Sequence, residues 1–181
     1  MAGQAKSTTR QFDPKADSLL RRAYEQSELG KQRSAFRLYL AAAKLGDSYG
    51  QQALGYCYDV GVGVKPNRSA AMRWYLLAFR KGNTSAANNI GTIYRDEGDL
   101  KRALKWFERA IALGEIDANL EIAKIYLREK DRTAEALPYL RKILKGKPGM
   151  TVTIDYFKKA QRLLKKHFAK KMRTPKISHE H

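Results

Sequence analysis

Few residues of this sequence could perform catalysis or bind a metal. Cys57 is the only cysteine, which excludes a disulfide within the chain and a zinc site of several thiolates. Its apolar, aromatic surroundings, "ALGYCYDV", predict a buried and unreactive thiol. His167 lies among lysines, and His179 and His181 lie in a polar C-terminal stretch, so no histidine is placed beside a carboxylate or nucleophile. The terminal "HEH" could bind a metal weakly, but we interpret it as a polar terminus. We expect no enzymatic activity and no cofactor.

A glycine-rich stretch, "GVGV" at residues 61–64, is the other candidate for ligand chemistry. A phosphate-binding loop also needs a lysine and a hydroxyl residue at fixed spacing after the glycines, and both are missing here. Pro66 and Asn67 follow directly, and Asn is a common helix N-cap. We interpret the stretch as a structural loop between two helices.

The charge is strongly positive and unevenly distributed. The formal net charge is +18, and residues 141–181 contribute 13 Lys and Arg against 2 Asp and Glu. Such a field attracts polyanions or acidic proteins over about 8–10 Å at physiological salt. No apolar run approaches the ~18 residues of a membrane span, and the sequence "MAGQAKSTTRQFDPK" has no apolar block typical of a secretory signal. We expect a cytoplasmic protein.

The sequence contains repeated helical patterns, which must position the candidate functional residues. A tyrosine recurs at spacings of 34, 36 and 32 residues, each time four residues after Leu or Ile. These periods indicate stacked pairs of helices. The four tyrosines are Tyr24, Tyr58, Tyr94 and Tyr126.

The second helix of each pair carries an alanine followed by bulky residues three and four positions later. The four alanines are Ala35, Ala71, Ala103 and Ala136, and Gly46, Gly82 and Gly114 end three of these helices, where a left-handed backbone is expected. Small residues on the first helices, Gly55, Gly91 and Ala123, would allow close helix packing. Arg21 takes that position in the first unit, and Pro138 is expected to kink the last second helix.

These residues resemble a known family. The stretch from Gly46 to Gly82, with "ALGYCYDVGVGV" and "AMRWYLLA", is similar to a Sel1-like repeat, and "NNIGTIYRDEGDLKRALKWFERAIALG" is similar to a tetratricopeptide repeat. The resemblance covers about residues 16–146. It implies an all-α fold, an α-α solenoid of about four helix-turn-helix repeats, and a role as a scaffold or adaptor. We expect the solenoid at 14–173, including a basic capping helix at 151–173, between disordered segments at 1–13 and 174–181.

The resemblance also implies a binding groove, lined by the first helix of each pair. It predicts partner-binding residues at Arg22, Tyr49, Gln52, Tyr56, Asp59, Asn88, Thr92, Arg95, Lys124 and Arg128. Tyr and Arg are frequent anchors in interfaces. Further positions in this set are Lys15, Ser18, Glu25, Ser85, Leu120 and Leu127. Lys124 and Arg128 beside Asn88 and Arg95 could hold a carboxylate of an acidic peptide.

The sequence "TVTIDYFKKAQRLLKKHFAKKMR" predicts a last helix with one apolar stripe and a basic remainder. The polyanion-binding candidates are Lys158, Lys159, Arg162, Lys165, Lys166 and Lys170. We interpret them first as a solubilising cap; contact with an acidic protein is the next alternative, and contact with nucleic acid or an anionic membrane is less favoured.

We therefore predict a non-catalytic module that binds a protein or peptide partner. Two alternatives remain open from the sequence. An immunity or chaperone-like protein would neutralise one cognate toxin or effector, which neighbouring genes would reveal. A nucleic-acid-binding adaptor would use the basic last helix, and nucleic acid would then accompany the purified protein.

Overall fold

The computed structural model describes residues 13–169, and all the elements in that range are helical. The expectations for residues 1–12 and 170–181, including both predicted disordered segments apart from Asp13, lie outside the described residues. The α-helices are α1 Pro14–Glu28, α2 Gln32–Lys44, α3 Ser48–Val60, α4 Arg68–Arg80, α5 Thr84–Asp96, α6 Leu100–Ala112, α7 Ala118–Arg128, α8 Ala136–Lys145 and α9 Ile154–Phe168. A 3₁₀ helix, Lys130–Glu135, precedes α8.

Consecutive helices pack as hairpins, which confirms the predicted all-α repeat fold. The chain divides into two compact units between Leu113 and Gly114. In the first unit, α1 packs on α2, α3 on α4 and α5 on α6, while α2 contacts α3 and α4 contacts α5. In the second unit, α7 packs on α8, and α9 packs on α8 in turn. Residues 13–169 thus form four hairpins and a final helix.

Side-chain caps begin several of these helices, and the predicted cap Asn67 is one of them. Asp13 accepts hydrogen bonds from the backbone N–H groups of Lys15 and Ala16 at 2.8 and 3.4 Å, ahead of the proline that opens α1. Asn67 caps α4 and Asp99 caps α6 in the same manner. Each cap satisfies backbone donors that have no partner within the helix.

The three predicted helix-ending glycines are confirmed. Gly46, Gly82 and Gly114 have φ angles of +83°, +84° and +96°, in the left-handed region that favours glycine. After α2, the Gly46 N–H donates to the Ala43 carbonyl at 2.9 Å and the Asp47 N–H to the Ala42 carbonyl at 3.3 Å. This pattern closes the end of the helix.

The small residues of the two central hairpins lie under aromatic rings. A Cβ atom on Gly55 would lie 2.6 Å from the Tyr75 ring, and one on Gly91 would lie 2.7 Å from the Phe107 ring. Both aromatic side chains are fully buried. The glycines therefore set how closely α3 approaches α4 and how closely α5 approaches α6.

The glycine-valine loop between α3 and α4 rests on the preceding hairpin. A Cβ atom on Gly63 would lie 2.2 Å from the backbone oxygen of Gln32, so only glycine fits at this point. The Asn67 N–H donates to the Tyr58 carbonyl at 2.7 Å and closes the loop. These contacts are typical of a structural loop.

The first helix differs from the predicted register. Ala23 is fully buried on α1, whereas Arg21 is 74% exposed and pairs with Asp17. Gly30 and Gly98 both follow the first helix of their hairpin with a left-handed backbone, and they lie seven residues after Ala23 and Gly91. The small residue of the first hairpin is therefore Ala23, and Arg21 does not loosen its packing.

The position of Pro138 also differs from the prediction. Because the 3₁₀ helix occupies residues 130–135, α8 begins only at Ala136. Pro138 then lies in the first helical turn, where a backbone N–H has no partner within the helix. The expected kink inside the helix has no cause here.

Candidate functional site

Helices α3 and α5 lie side by side and run in the same direction. Near their first residues, the Asn83 amide nitrogen lies 3.4 Å from the Ser48 carbonyl oxygen, as a hydrogen bond. Near their last residues, the Asp96 carboxylate acts electrostatically on Asp59. The second helices of these hairpins, α2 and α4, are also joined where they end, by a 2.7 Å hydrogen bond from Lys81 Nζ to the Gly46 carbonyl oxygen. The repeat thus places equivalent positions of α3 and α5 beside each other.

One stripe of α3 carries four of the predicted partner-binding residues. Tyr49, Gln52, Tyr56 and Asp59 are spaced by three, four and three residues, which places them on one helical face. Tyr49 is 52% exposed and Tyr56 is 50% exposed, while Gln52 and Asp59 are half-buried. Two large aromatic side chains thus stand half in solvent two turns apart.

The corresponding stripe of α5 is polar. Asn88, Thr92 and Arg95 are half-buried, and the Thr92 hydroxyl donates to the Asn88 carbonyl at 3.2 Å. The Arg95 guanidinium pairs with Asp96 at 2.8 Å. Within the described residues, the side-chain oxygen of Asn88 is buried and has no hydrogen-bond partner.

The carboxylate of Asp59 sits where α3 ends. Burial raises its pKa, Asp96 adds to the rise, and the Arg68 guanidinium and the Tyr75 hydroxyl oppose it. The Tyr75 hydroxyl lies 3.5 Å from Asp59 Oδ2, at the outer limit of a hydrogen bond. Asp59 is therefore an anionic group held partly away from water.

A cavity of about 370 Å³ opens beside the α3 stripe. Its lining includes Ser27, Tyr39, Gln52, Tyr56, Cys57 and Val62. Burial raises the pKa of Cys57 to about 11, so the thiol is neutral and unreactive at neutral pH, as expected. We call this cavity the tyrosine pocket.

The corrected register of α1 changes the first unit's contribution to this face. Because Ala23 is equivalent to Gly55 and Gly91, the position after it is Tyr24, which aligns with Tyr56 and Thr92. Tyr24 is 64% exposed. Arg22 is also exposed, but it does not occupy the aligned position from which it was predicted.

The same correction applies to the other positions taken from the first unit. The aligned positions are Asp17, Leu20, Tyr24 and Ser27, in place of Lys15, Ser18, Arg22 and Glu25. Sequence reasoning missed Ser27 and Tyr39, both of which line the tyrosine pocket. The equivalence of the turn glycines Gly30 and Gly98 is the signal that could have found Ser27.

The remaining groove candidates belong to the second unit. Lys124 Nζ pairs with Glu121 Oε1 at 2.7 Å and lies 5.7 Å from the centre of the Tyr156 ring on α9. Arg128 is exposed, and Leu120, predicted to be exposed, is fully buried. Lys124 already has partners within its own unit, so the expected carboxylate-binding role has no structural support.

Helix α9 carries the predicted basic surface on its exposed side. Lys158, Arg162, Lys165 and Lys166 are exposed, whereas Lys159 pairs with Asp155 at 2.6 Å and lies near the Tyr156 ring. Residues 141–169 hold nine Lys and Arg against one Asp. Lys170 lies outside the described residues.

Two kinds of feature are absent from the described residues, a metal-binding cluster and a membrane-spanning helix. Between residues 13 and 169, no group of three or more His, Cys, Asp and Glu side chains could hold a metal ion. No helix in that range is long and apolar enough to cross a membrane.

Comparison with known proteins agrees with the repeat architecture. The Sel1 repeat model matches residues 17–47 and 48–83, and a tetratricopeptide repeat model matches residues 84–116. The matches run without a gap over more than half of the 181 residues. The chain therefore belongs to the Sel1-like and tetratricopeptide repeat proteins.

Individual relatives share the repeats over part of their length. Chitin synthase regulatory factor 3 of Schizosaccharomyces pombe is 30% identical over 131 residues, covering 66% of this chain and 14% of that protein. The DAP3-binding cell death enhancer 1 of Mus musculus is 34% identical over 73 residues, covering 40% of this chain and 14% of that protein. The chain spans 14–16% of the length of the curated relatives it matches.

A solved structure shows the same fold. The Sel1 repeat protein from Oxalobacter formigenes superposes with a TM-score of 0.62 at 21% identity. The match covers 81% of this chain and 72% of that chain.

Proposed function

We propose that the first unit is a non-catalytic protein-binding module and that its binding face is formed by the stripes of α3 and α5 with the tyrosine pocket beside them. The side-by-side placement of the two stripes carries this proposal. It presents half-exposed tyrosines and a partly buried carboxylate on α3 beside the half-buried polar side chains of α5. Aromatic rings with nearby polar groups are typical of interface anchors.

The family supports this class of function. Sel1 and tetratricopeptide repeats generally serve as interaction scaffolds, because stacked helical hairpins create extended binding surfaces. One relative is named for its binding of another protein, DAP3. We extend to this chain only the general role of binding a protein.

Binding would rely on a face that is already formed. In the first unit, side-chain caps begin every helix except α2, and the fully buried Tyr75 and Phe107 lie inside the two central hairpins. A partner segment then meets a surface that loses little conformational entropy on association. An extended peptide or the edge of a folded domain would suit such a face.

A double substitution tests the proposal. Tyr56→Ala with Arg95→Ala removes one anchor from each stripe, and each anchor should contribute about 2 kcal/mol if it is an interface hot spot. Partner proteins captured by the immobilised wild-type protein from an extract of its own cells are quantified by mass spectrometry. We expect the double variant to lose the captured partner while its circular dichroism spectrum stays helical.

The matched control changes exposed residues on the second helices. Arg73 on α4 and Lys101 on α6 are exposed, so Arg73→Ala with Lys101→Ala removes two side chains from other faces. Capture should persist in this control. If the Tyr56 and Arg95 variant still captures the partner, the binding face lies elsewhere.

A further inference from the structure

The tyrosine pocket combines aromatic rings with hydrogen-bond acceptors. Tyr39 from α2 and Tyr56 from α3 both line it, together with the Gln52 side chain and Ser27. Amide and hydroxyl oxygens accept hydrogen bonds, and a tyrosine ring presents a negative electrostatic face. The lining is therefore suited to a group that is flat, positively charged and rich in donors.

The groups acting on Tyr39 are consistent with a site for a cation. Burial raises the pKa of Tyr39, and Cys57, Tyr24 and the Glu28 carboxylate each raise it further. No Lys or Arg is among these influences. The last turns of α1 and α3 meet at the pocket against the first turn of α2, so two negative helix-dipole ends face one positive end. The Glu28 carboxylate adds a negative charge near Tyr39.

Two other tyrosine rings in the described part of the chain lie under arginine guanidinium groups. The Arg102 guanidinium lies 4.4 Å from the centre of the Tyr94 ring, and the Arg132 guanidinium lies 4.4 Å from that of Tyr126. Among residues 13–169, no such cation covers Tyr39 or Tyr56. These two rings remain available to a cation from outside the chain.

We propose that the tyrosine pocket receives an arginine side chain of the bound partner. This inference rests on the proposed function and specifies the chemistry of the partner's anchor. A planar guanidinium can lie on the Tyr56 ring while its N–H groups donate to Gln52 and Ser27. Lysine would gain the charge attraction but could not stack as a plane.

The net charge of +18 provides a distinguishing salt dependence. A small cationic ligand such as an arginine amide is repelled at long range by this charge, and added salt screens that repulsion more than it weakens contacts within the pocket. Binding should hold or strengthen between about 20 and 150 mM salt. Binding of an acidic partner would weaken over the same range.

A titration with small probes tests the pocket directly. N-acetyl-arginine amide and its neutral isostere N-acetyl-citrulline amide are each added to the full chain and followed by two-dimensional NMR of the backbone amides. We expect saturable shifts at Gln52, Ala53 and Tyr56 with the arginine probe only. Equal shifts with the citrulline probe, or none with either, would overturn the proposal.

Substitutions on α3 provide the matched comparison. Tyr56→Leu should weaken the arginine probe about five-fold because the ring is lost, and Tyr56→Phe should leave it nearly unchanged. Tyr49→Leu removes an equally exposed tyrosine of the same helix that does not line the pocket. It should leave the affinity for the arginine probe unchanged. A loss with Tyr49→Leu equal to that with Tyr56→Leu would contradict a specific pocket.

The two proposals fail in different ways. Suppose that the double variant Tyr56→Ala with Arg95→Ala still captures the partner, while the arginine probe shifts the Gln52 and Tyr56 amides of the wild-type protein. The pocket is then confirmed as an arginine site and the proposed binding face is wrong. If capture is lost but the citrulline probe binds equally well, the face is correct and the arginine anchor is wrong.

Discussion

Two glycines in the central hairpins define how tightly their helices pack. Gly91 on α5 lies under the Phe107 ring, and an added Cβ atom would approach that ring to 2.7 Å. The Phe107 ring is fully buried, as are the side chains of Ile90 and Ile93 beside Gly91, so the ring cannot move without opening the core. The same geometry at Gly55 and Tyr75 indicates that it is a property of the repeat.

Enlarging Gly91 should therefore destabilise the fold. We expect Gly91→Leu to lower the free energy of unfolding by about 3 kcal/mol through overpacking, although leucine has the better helix propensity. Thermal and urea unfolding followed by circular dichroism measures the change. Combining it with Phe107→Leu, which makes room, should recover part of the loss, and an unchanged unfolding midpoint in Gly91→Leu would contradict the packing described here.

The thiol of Cys57 gives a prediction about pH. Burial raises its pKa from 9.0 to about 11, so between these values the folded state holds a proton that the unfolded state releases. The stabilising contribution is present below pH 9 and is lost as the pH rises through about 11. Urea unfolding measures the free energy of unfolding of the wild type and of Cys57→Ala. Between pH 8.5 and 10.5, the wild type should lose stability relative to Cys57→Ala. A constant difference between the two would mean that the thiol is solvated.

At the scale of elements, helix starts and ends were predictable because they depend on local chemistry. Asn67 and Asp99 cap the helices that follow them, and three glycines end helices as expected. The register of α1 was not predictable from the spacing of Leu20 and Tyr24, because that pair imitates the Leu/Ile and Tyr pattern of the other units. The buried position follows instead from the length between Ala23 and the turn at Gly30.

The fourth hairpin shows why the rest of the candidate site could not be read from the sequence. Lys124 lies at an aligned position, but Glu121 and α9 engage it. Pro138 lies in a first turn because a 3₁₀ helix delays α8. The contact of Lys124 with α9 and the late start of α8 depend on neighbouring elements, which a repeat pattern does not encode.

Helix α9 allows a test of the nucleic-acid alternative. Its exposed lysines attract phosphates, but Tyr156 and Phe157 are half-buried and Phe168 is buried, so little aromatic surface remains for stacking on bases. We expect RNA and duplex DNA to bind weakly and to dissociate at about 150 mM salt. Fluorescence anisotropy measures this, and neutralising Lys158, Lys165 and Lys166 should flatten the salt dependence. Sequence-selective submicromolar binding at that salt would instead favour a nucleic-acid adaptor.

At the scale of the whole molecule, the boundary between Leu113 and Gly114 separates two units with different surfaces. The first unit contains three hairpins with the aromatic and polar stripes, and the second contains the nine Lys and Arg of residues 141–169. Because each hairpin in a repeat protein contacts mainly its neighbours, stability is distributed along the stack. Three hairpins are about the minimum for an independently stable array.

The first unit should therefore fold and bind without the second. We expect a fragment of residues 1–116, which ends with the matched tetratricopeptide repeat, to unfold cooperatively in urea and to give the same amide shifts at Gln52 and Tyr56 with N-acetyl-arginine amide. Removing the C-terminal positive charge should also reduce long-range repulsion of a basic ligand, so the fragment should depend less on salt than the full chain. A matched fragment of residues 1–83 has only two hairpins and exposes the face of α4 that packs against α5, so it should unfold at lower urea. If residues 1–116 show no cooperative transition while the full chain does, the hairpins of the first unit need the second unit to fold.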